Sequence, residues 1–344
     1  MKNCFLPVSQ QDLLDRGISE VDFVFVSGDA YVDHASFASA LLGRLLEANG
    51  YTVAILPQPD WKNVEEFRKF GRPKLGFLVS AGAMDSMVSN YTANNKPRSE
   101  DVYAHGGVAG HRPDRALITY VSKIREAYKG VNVLIGGIEA SLRRTSHYDY
   151  WSNTVRRSIL LDSKADLLMY GMGEKSIVEI ADALDSGLSV QDITFIRGTV
   201  YKARSLDGVY DYRLLPSYGD MTADKRKYAE SFAVQYRNTD PFLAKTLVEP
   251  YDDHTFVVQN PPQEPLTTQE MDDVWANVCA YYDNAEMKEG VRGTDTWMPL
   301  GYDFNLSFGQ WYYNDIASGT YTGLMATNDW FKSHPFYGGN RVRC

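Results

Sequence analysis

Short apolar runs alternate with longer amphipathic ones through the first half of the chain. Asp22-Phe-Val-Phe-Val26, ending at Ser27-Gly28-Asp29, has the β-branched and aromatic content of a buried strand. From His34 to Asn49, Phe37, Leu41, Leu42, Leu45 and Leu46 recur at helical spacing, and Gly50 supplies a stop. The same reading predicts strands at Tyr51–Leu56, Lys74–Ser80, Val131–Ile135 and Ala165–Tyr170. It predicts helices at Trp61–Phe70, at Pro113–Lys129 with Pro113 as the first helical residue, and after Gly171-Met-Gly173-Glu174 to about Leu184. Repeated strand, turn and helix is the signature of an α/β fold with a mostly parallel, Rossmann-like sheet and helices on both faces. In such sheets ligands bind beyond the carboxyl ends of the strands. Gly28-Asp29, Ser80-Ala-Gly82, Gly136-Gly137 and Gly171-Met-Gly173 all fall at that edge.

Beyond about Gly187 the pattern changes. Ile193–Lys202 reads as one or two strands, Thr222–Asn238 as an amphipathic helix, and Thr255–Gln259 as a strand. A proline-rich connection, Asn260–Pro265, leads to Thr267-Thr-Gln-Glu270, a capping box that opens a helix. This stretch reads as an extension and not as a second mononucleotide-binding half. The long segment Asn90–Arg112 has the length of a functional or mobile loop. From Ala276 to Cys344 the chain carries 14 aromatic residues and only two lysines, with no clear period until Trp311. The organisation is therefore an α/β domain over 1–187, an extension and linker over 188–275, and an irregular aromatic-rich tail over 276–344.

Charge and cysteines narrow the function. The 35 Lys and Arg against 44 Asp and Glu leave a net charge of -9, which argues against binding nucleic acid by phosphate neutralisation. No stretch approaches the ~18 apolar residues of a membrane span. The apolar stretch in Met1–Leu14 is too short for a signal peptide, so the expectation is a cytoplasmic protein. Cys4, Cys279 and Cys344 are far apart and form no CxxC or CxxxCxxC, so no sequence-local zinc or iron–sulfur site can be read.

Four clusters carry candidate chemistry. Asp29, Asp33 and His34 follow the first strand; they face a ligand, or Asp33 simply caps the next helix. A cobalamin loop needs D-x-H-x-x-G, and the adjacency of Asp33 and His34 fails that spacing. Gly136 and Gly137 permit close backbone approach, Glu139 follows, and Arg143 and Arg144 suit a carboxylate or phosphate. The bland alternative is a tight turn with a basic helix end. His147, Asp149 and Trp151 lie among tyrosines, either as a stacking and hydrogen-bonding wall or as a structural aromatic knot. Gly171, Gly173 and Glu174 place a helix N-terminus over an anion or ribose, or form an ordinary β–α turn.

At these residues the sequence resembles a known family. Val26-Ser-Gly-Asp-Ala-Tyr-Val-Asp-His34, Gln58-Pro-Asp-Trp61, His111-Arg-Pro-Asp-Arg115, Gly136-Gly-Ile-Glu-Ala-Ser-Leu-Arg-Arg144, His147-Tyr-Asp-Tyr-Trp151 and Arg156-Arg-Ser-Ile-Leu-Leu-Asp-Ser-Lys-Ala-Asp166 resemble the YgiQ family of radical S-adenosylmethionine proteins, and the likeness covers about residues 5–275. The resemblance implies a cobalamin-binding-like α/β N-terminal region, followed by a domain whose CxxxCxxC holds a [4Fe–4S] cluster. That cluster binds S-adenosylmethionine and cleaves it reductively to a 5′-deoxyadenosyl radical. This chain departs where that motif would come: 64 residues separate Cys279 from Cys344, which cannot reproduce the spacing. The expectation is a truncated or frameshifted gene, with a genuine domain replacement as the rival account. The expectation is thus no cofactor in this chain, no cluster chemistry, and an unassigned small-molecule substrate. The alternative is a ligand-binding module with its site at the strand-end edge.

Overall fold

A computed structural model describes residues 5–274 apart from Ala35 and Asp253. All of these belong to one compact unit, Met1–Asp295. Helix α1 (Gln10–Arg16) precedes β1 (Phe23–Ser27), α2 (Ala38–Ala48), β2 (Val53–Pro57), β3 (Gly76–Ser80), α3 (Ser86–Asn90), α4 (Ala116–Ala127) and β4 (Val133–Gly136). Then follow α5 (Gly137–Leu142), β5 (His147–Asp149), β6 (Thr154–Arg156), α6 (Ile159–Ser163), β7 (Leu167–Met169) and α7 (Glu174–Asp185). The last elements are β8 (Thr199–Ala203), β9 (Tyr212–Leu214), α8 (Tyr218–Ala223), α9 (Lys225–Tyr236), β10 (Thr246–Asp252) and β11 (Thr255–Gln259).

Nine strands form one mixed, mostly parallel sheet in the order β2-β1-β3-β4-β7-β8-β11-β10-β9. The five strands from β2 to β7 are all parallel, in register Phe23 with Val53, Phe23 with Gly76, and Phe77 with Val133. Alternation along each strand sends neighbours to opposite faces. Val24, Val26, Phe77, Val79, Val133 and Ile135 pack with Leu117, Tyr120 and Ile124 of α4. Phe23, Phe25, Val53, Ile55, Leu78 and Leu134 pack with Leu45 and Leu46 of α2 and Ile177 and Ile180 of α7. The apolar faces of the helices thus explain why the sheet is covered on both sides.

Beyond Gly187 the chain adds β8, β11, β10 and β9 to the edge of the same sheet, beginning with antiparallel pairing of β8 to β7. Several local expectations shift. Helix α2 begins at Ala38, not His34, because Phe37 is the extended cap residue. Trp61–Phe70 contains only the 3-10 turn Val64–Arg68. Helix α4 starts at Ala116, with Arg115 in the left-handed region as its cap, so Pro113 lies outside it. Thr222–Asn238 is broken at Asp224, whose carboxylate accepts from the Arg226 N–H and starts α9 afresh. Asn90–Arg112 is structured by bridges between Tyr91 and Pro97 and between Glu100 and Val108. The capping box at Thr267 and Glu270 forms, with both reciprocal hydrogen bonds. The aromatic tail, 276–344, lies outside the described residues. Among the described residues, no helix is long and apolar enough to cross a membrane.

Candidate functional site

In a sheet ordered β2-β1-β3-β4-β7 the chain reverses direction across the sheet between β1 and β3, and the crevice there is the expected ligand position. Here the protein fills it. Arg112, fully buried, donates to Asp29 Oδ1 at 2.7 Å, to Asp101 Oδ2 at 3.2 Å, and to the Ala81 carbonyl. The second Asp29 oxygen accepts from the Ala83 N–H at 2.6 Å. Burial raises the Asp29 carboxyl despite its arginine partner. Gly28 and Gly82 are required by this packing. A Cβ on Gly28 would overlap the Ala81 carbonyl, and one on Gly82 would overlap Asp29 and Arg112, with Gly82 at φ +106° besides. Asp29 is therefore committed to holding the loop that carries Arg112 and Asp101.

Three more candidates bind other parts of the fold. Asp33 does not cap α2; it pairs with buried Arg44 at 2.6 Å and accepts from the Tyr31 hydroxyl at 2.9 Å. His34 is buried, and its Nδ1 accepts from the Ser36 N–H at 3.1 Å. Glu139 is buried and accepts from the N–H groups of Ser86 and Leu117, at 2.9 and 3.2 Å, tying the first turns of α3 and α4 together. Burial raises its carboxyl above the usual range. Gly136 caps α5, and Gly137 at φ +82° passes so close to the Ser80 side chain that a Cβ would collide with it.

Arg144 also turns away from solvent. Its guanidinium lies 5.0 Å from the Tyr170 ring centre, donates through Nε to Gln259 of β11 at 2.8 Å, and donates to the Ser141 carbonyl at 2.7 Å. It clasps the added strands to the parallel sheet. Gly171 turns the chain at φ +72°, Gly173 caps α7, and Glu174 is buried in the first turn of that helix.

The remaining candidates converge. Arg143, His147, Asp149 and Trp151 line one open cleft of about 200 Å³ together with Asp85, Val88, Leu142, Tyr148 and Tyr150. Asp85 uses one oxygen to cap α3 and the other to pair with Arg143. Burial lowers the Arg143 pKa. Asp149 accepts from Arg115 at 2.6 Å and from the Ser152 hydroxyl. Burial pushes its carboxyl up, but Ser152 and Arg115 together hold it below its usual value. His147 is brought to about 4 by burial and by neighbouring Arg143, against the opposing Thr145 carbonyl, so it is neutral at pH 7. Trp151 meets Tyr91 at 5.4 Å and Tyr150 at 5.3 Å between ring centres, forming an aromatic wall.

Residues far away in sequence hold this wall in place. Glu249 of β10, fully buried, accepts from the Ser146 N–H at 2.9 Å and from its hydroxyl at 2.8 Å, which pins the hairpin of β5 and β6. Tyr228 of α9 accepts from the Tyr148 N–H at 3.0 Å. Sequence reasoning missed Asp85, Arg112, Arg115 and Glu249, because nothing near them in the chain signals their partners. Asp85, Arg112 and Arg115 carried a hint only through the family likeness, which includes Asp85-Ser-Met-Val88 and His111-Arg-Pro-Asp-Arg115.

A metal or cluster does not fit these residues. The described part contains no cysteine, and none of its His, Asp and Glu groups forms a set of three placed to hold an ion. Cys4, Cys279 and Cys344 lie outside the described residues. The cleft's arginines are each already matched by an aspartate. What the arrangement offers is a neutral imidazole, paired charges and aromatic faces around one open cleft.

Fold and cleft together define a doubly wound α/β domain with a polar and aromatic cleft at the carboxyl edge of its strands. The chain belongs to the radical SAM N-terminal family, whose model matches residues 5–294. It is 53% identical over 289 residues to a UPF0313 protein of Clostridium botulinum (strain 657 / Type Ba4), covering 83% of this chain and 45% of that protein. It is likewise 53% identical over 276 residues to a UPF0313 protein of Clostridium perfringens (strain 13 / Type A), covering 80% of this chain and 42% of that one. The chain thus spans a little under half the length of these curated relatives.

Proposed function

We propose that this chain is the N-terminal module of a YgiQ-like radical S-adenosylmethionine protein, and that it binds and orients a small organic substrate without performing the radical chemistry. The family match supports the first part. The cleft carries the second: Arg143, His147, Asp149 and Trp151 converge there, whereas Asp29, Asp33, Glu139 and Arg144 are spent on the fold. The [4Fe–4S] cluster and S-adenosylmethionine belong, on this reading, to the part of the full-length relatives beyond the match. A nucleic-acid partner is disfavoured by the net charge of -9 and by arginines already matched to aspartates.

Anaerobic reconstitution of the full chain with iron and sulfide tests the first part. The expected result is no stoichiometric cluster absorbance and no 5′-deoxyadenosine from S-adenosylmethionine; a stoichiometric cluster overturns it. For the second part, adenosine, S-adenosylmethionine, nucleotides and cobalamin are screened by thermal shift, since a ligand of the native state raises apparent stability. A shift that disappears in Trp151→Ala supports the cleft. A shift that survives in this variant places the site elsewhere.

A further inference from the structure

A second, smaller hollow adjoins the cleft. This recess of about 10 Å³, room for a single water-sized group, is lined by Arg115, Arg143, His147 and Arg156, with Glu139 and Asp162. Arg143 and His147 also line the open cleft of about 200 Å³, so the two hollows share a wall. On the cleft side stand the rings of Trp151 and Tyr150, edge to face at 5.3 Å. Ile118 and Ile159 complete the recess, and an apolar surround strengthens the electrostatic interactions within it. Three guanidiniums and an imidazole thus line a recess directly beside an aromatic wall.

Matched charge still leaves unmatched donors here. A guanidinium carries five N–H groups. Arg115 gives one nitrogen, Nη2, to Asp149 at 2.6 Å, and Arg156 gives Nη2 to Asp162 at 3.0 Å. Arg143 is paired with Asp85, but among the described residues its buried Nη1 has no aligned hydrogen bond. The neighbouring carboxylates are committed to the fold. Glu139 accepts from the Ser86 and Leu117 N–H groups, and Asp162 is shared between Arg156 and Arg157. With Arg157, the cations here equal the carboxylates Asp85, Glu139, Asp149 and Asp162 in number. At the imidazole the balance tips positive: beyond burial, Arg143 and Arg156 both act on His147, and Asp149 opposes them. Spare donors and a positive potential remain, and the oxygen of an anion uses both.

We propose that the ligand of the cleft is an aromatic carboxylate. Its ring lies against Trp151 and Tyr150, and its carboxylate takes up the spare donors of Arg143, with one oxygen at the recess where Arg115 and Arg156 add theirs. A carboxylate suits the recess better than a phosphate: it is planar, matches the guanidinium fork, and presents a single oxygen to a space of that size. This rests on the reading of the cleft as a substrate site and narrows it to a class of molecule. Arg156 is the residue to replace, because Asp162 keeps Arg157 as its partner at 2.9 Å and no carboxylate is stranded.

Saturation-transfer NMR titrations on the full 344-residue chain compare benzoate with benzamide, phenyl phosphate and cyclohexanecarboxylate. Benzoate is expected to bind roughly tenfold more tightly than benzamide, and more tightly than the other two. Arg156→Gln is expected to erase most of the preference for benzoate over benzamide while leaving urea unfolding unchanged, and Trp151→Ala to weaken both ligands. Benzoate that does not bind, or binds no better than benzamide, overturns the carboxylate. Phenyl phosphate binding best assigns the recess to phosphate and overturns it as well. Cyclohexanecarboxylate binding as well as benzoate removes the stacked ring from the inference, and a benzoate preference untouched by Arg156→Gln removes the recess. The two readings fail separately. Acid and amide that bind equally, and are both lost in Trp151→Ala, leave the cleft as a substrate site without the carboxylate. Benzoate binding that neither substitution changes places the site elsewhere, and both readings are lost.

Discussion

The two ends of the carboxyl edge are built from the same residue types and do opposite things. At β1 and β3, Arg112 is enclosed by Asp29 and Asp101, both buried, and by the backbone of Ala81, so the crevice is solid protein. Past β4, Arg143 pairs with Asp85 and Arg115 with Asp149, but these pairs border an open cleft walled by Trp151, Tyr148 and Tyr150. The difference is enclosure. A guanidinium surrounded on every side has no capacity left for a ligand, whereas one paired on a single side still presents a surface. Polar residues at the expected binding edge of an α/β sheet are therefore not evidence of a site until their partners are known.

Removing the plug should have the largest effect. Arg112→Ala leaves two carboxylates buried without their cation, and should cost about 3–5 kcal/mol in urea unfolding of the full chain. A loss under about 1 kcal/mol would mean that the crevice is open to water and the contrast with the cleft is false. The next effect is a pH dependence peculiar to the cleft. His147 titrates at about 4 when folded against 6.5 ordinarily. As pH falls through 6.5 the unfolded chain takes up the proton first, so stability is lost progressively down to about pH 4, by roughly 3 kcal/mol at most. Asp29 in the plug runs the other way: its raised carboxyl favours the fold at low pH and weakens it as pH rises through the folded value. His147→Gln should flatten the acid-side loss in unfolding measurements between pH 6.5 and 4; an unchanged slope would show the imidazole to be solvated.

Smaller effects sharpen the same contrast. Gly82→Ala forces a Cβ into Asp29 and Arg112 at a left-handed φ, and should destabilise by about 2 kcal/mol. Gly171 also has positive φ, but nothing lies within 4 Å of its Cβ position, so Gly171→Ala isolates the backbone strain alone, about 1 kcal/mol. Equal losses at the two glycines would deny the tight packing of the plug. Trp151→Ala should cost only about 1 kcal/mol through its two ring contacts and, on the proposed reading of the cleft, abolish any ligand-induced thermal shift. A large drop in stability there would mark the aromatic wall as a structural knot.

Much of the fold is legible along the chain. The apolar runs at Phe23–Val26 and Val133–Ile135 are strands because alternate residues feed cores on both faces of the sheet. The hairpin of β5 and β6 was not legible: three-residue strands carry almost no period, and their anchor, Glu249, lies 103 residues from Ser146. Strand β10 was hidden in the same way, since its Glu249 and Pro250 break the apolar run that would announce it. The cluster His147, Asp149 and Trp151 could be seen as chemically dense. Whether it was wall or knot could not, because that depends on Tyr91 and Asp85 arriving from the other side of β4.

By itself the sequence determined the parallel core of the sheet, the family, and the lack of a CxxxCxxC, since each depends on local pattern or on residue identity. Only the tertiary structure decided which candidates are available. Asp29, Asp33, Glu139 and Arg144 became parts of the scaffold when Arg112, Arg44, the first turns of α3 and α4, and Gln259 came within hydrogen-bond reach. Arg143, His147 and Trp151 stayed part-exposed at the cleft, which buried Asp149 also lines. The physical reason is that a buried charge must be matched by whatever the fold brings beside it, and those partners are set by packing, not by distance along the chain.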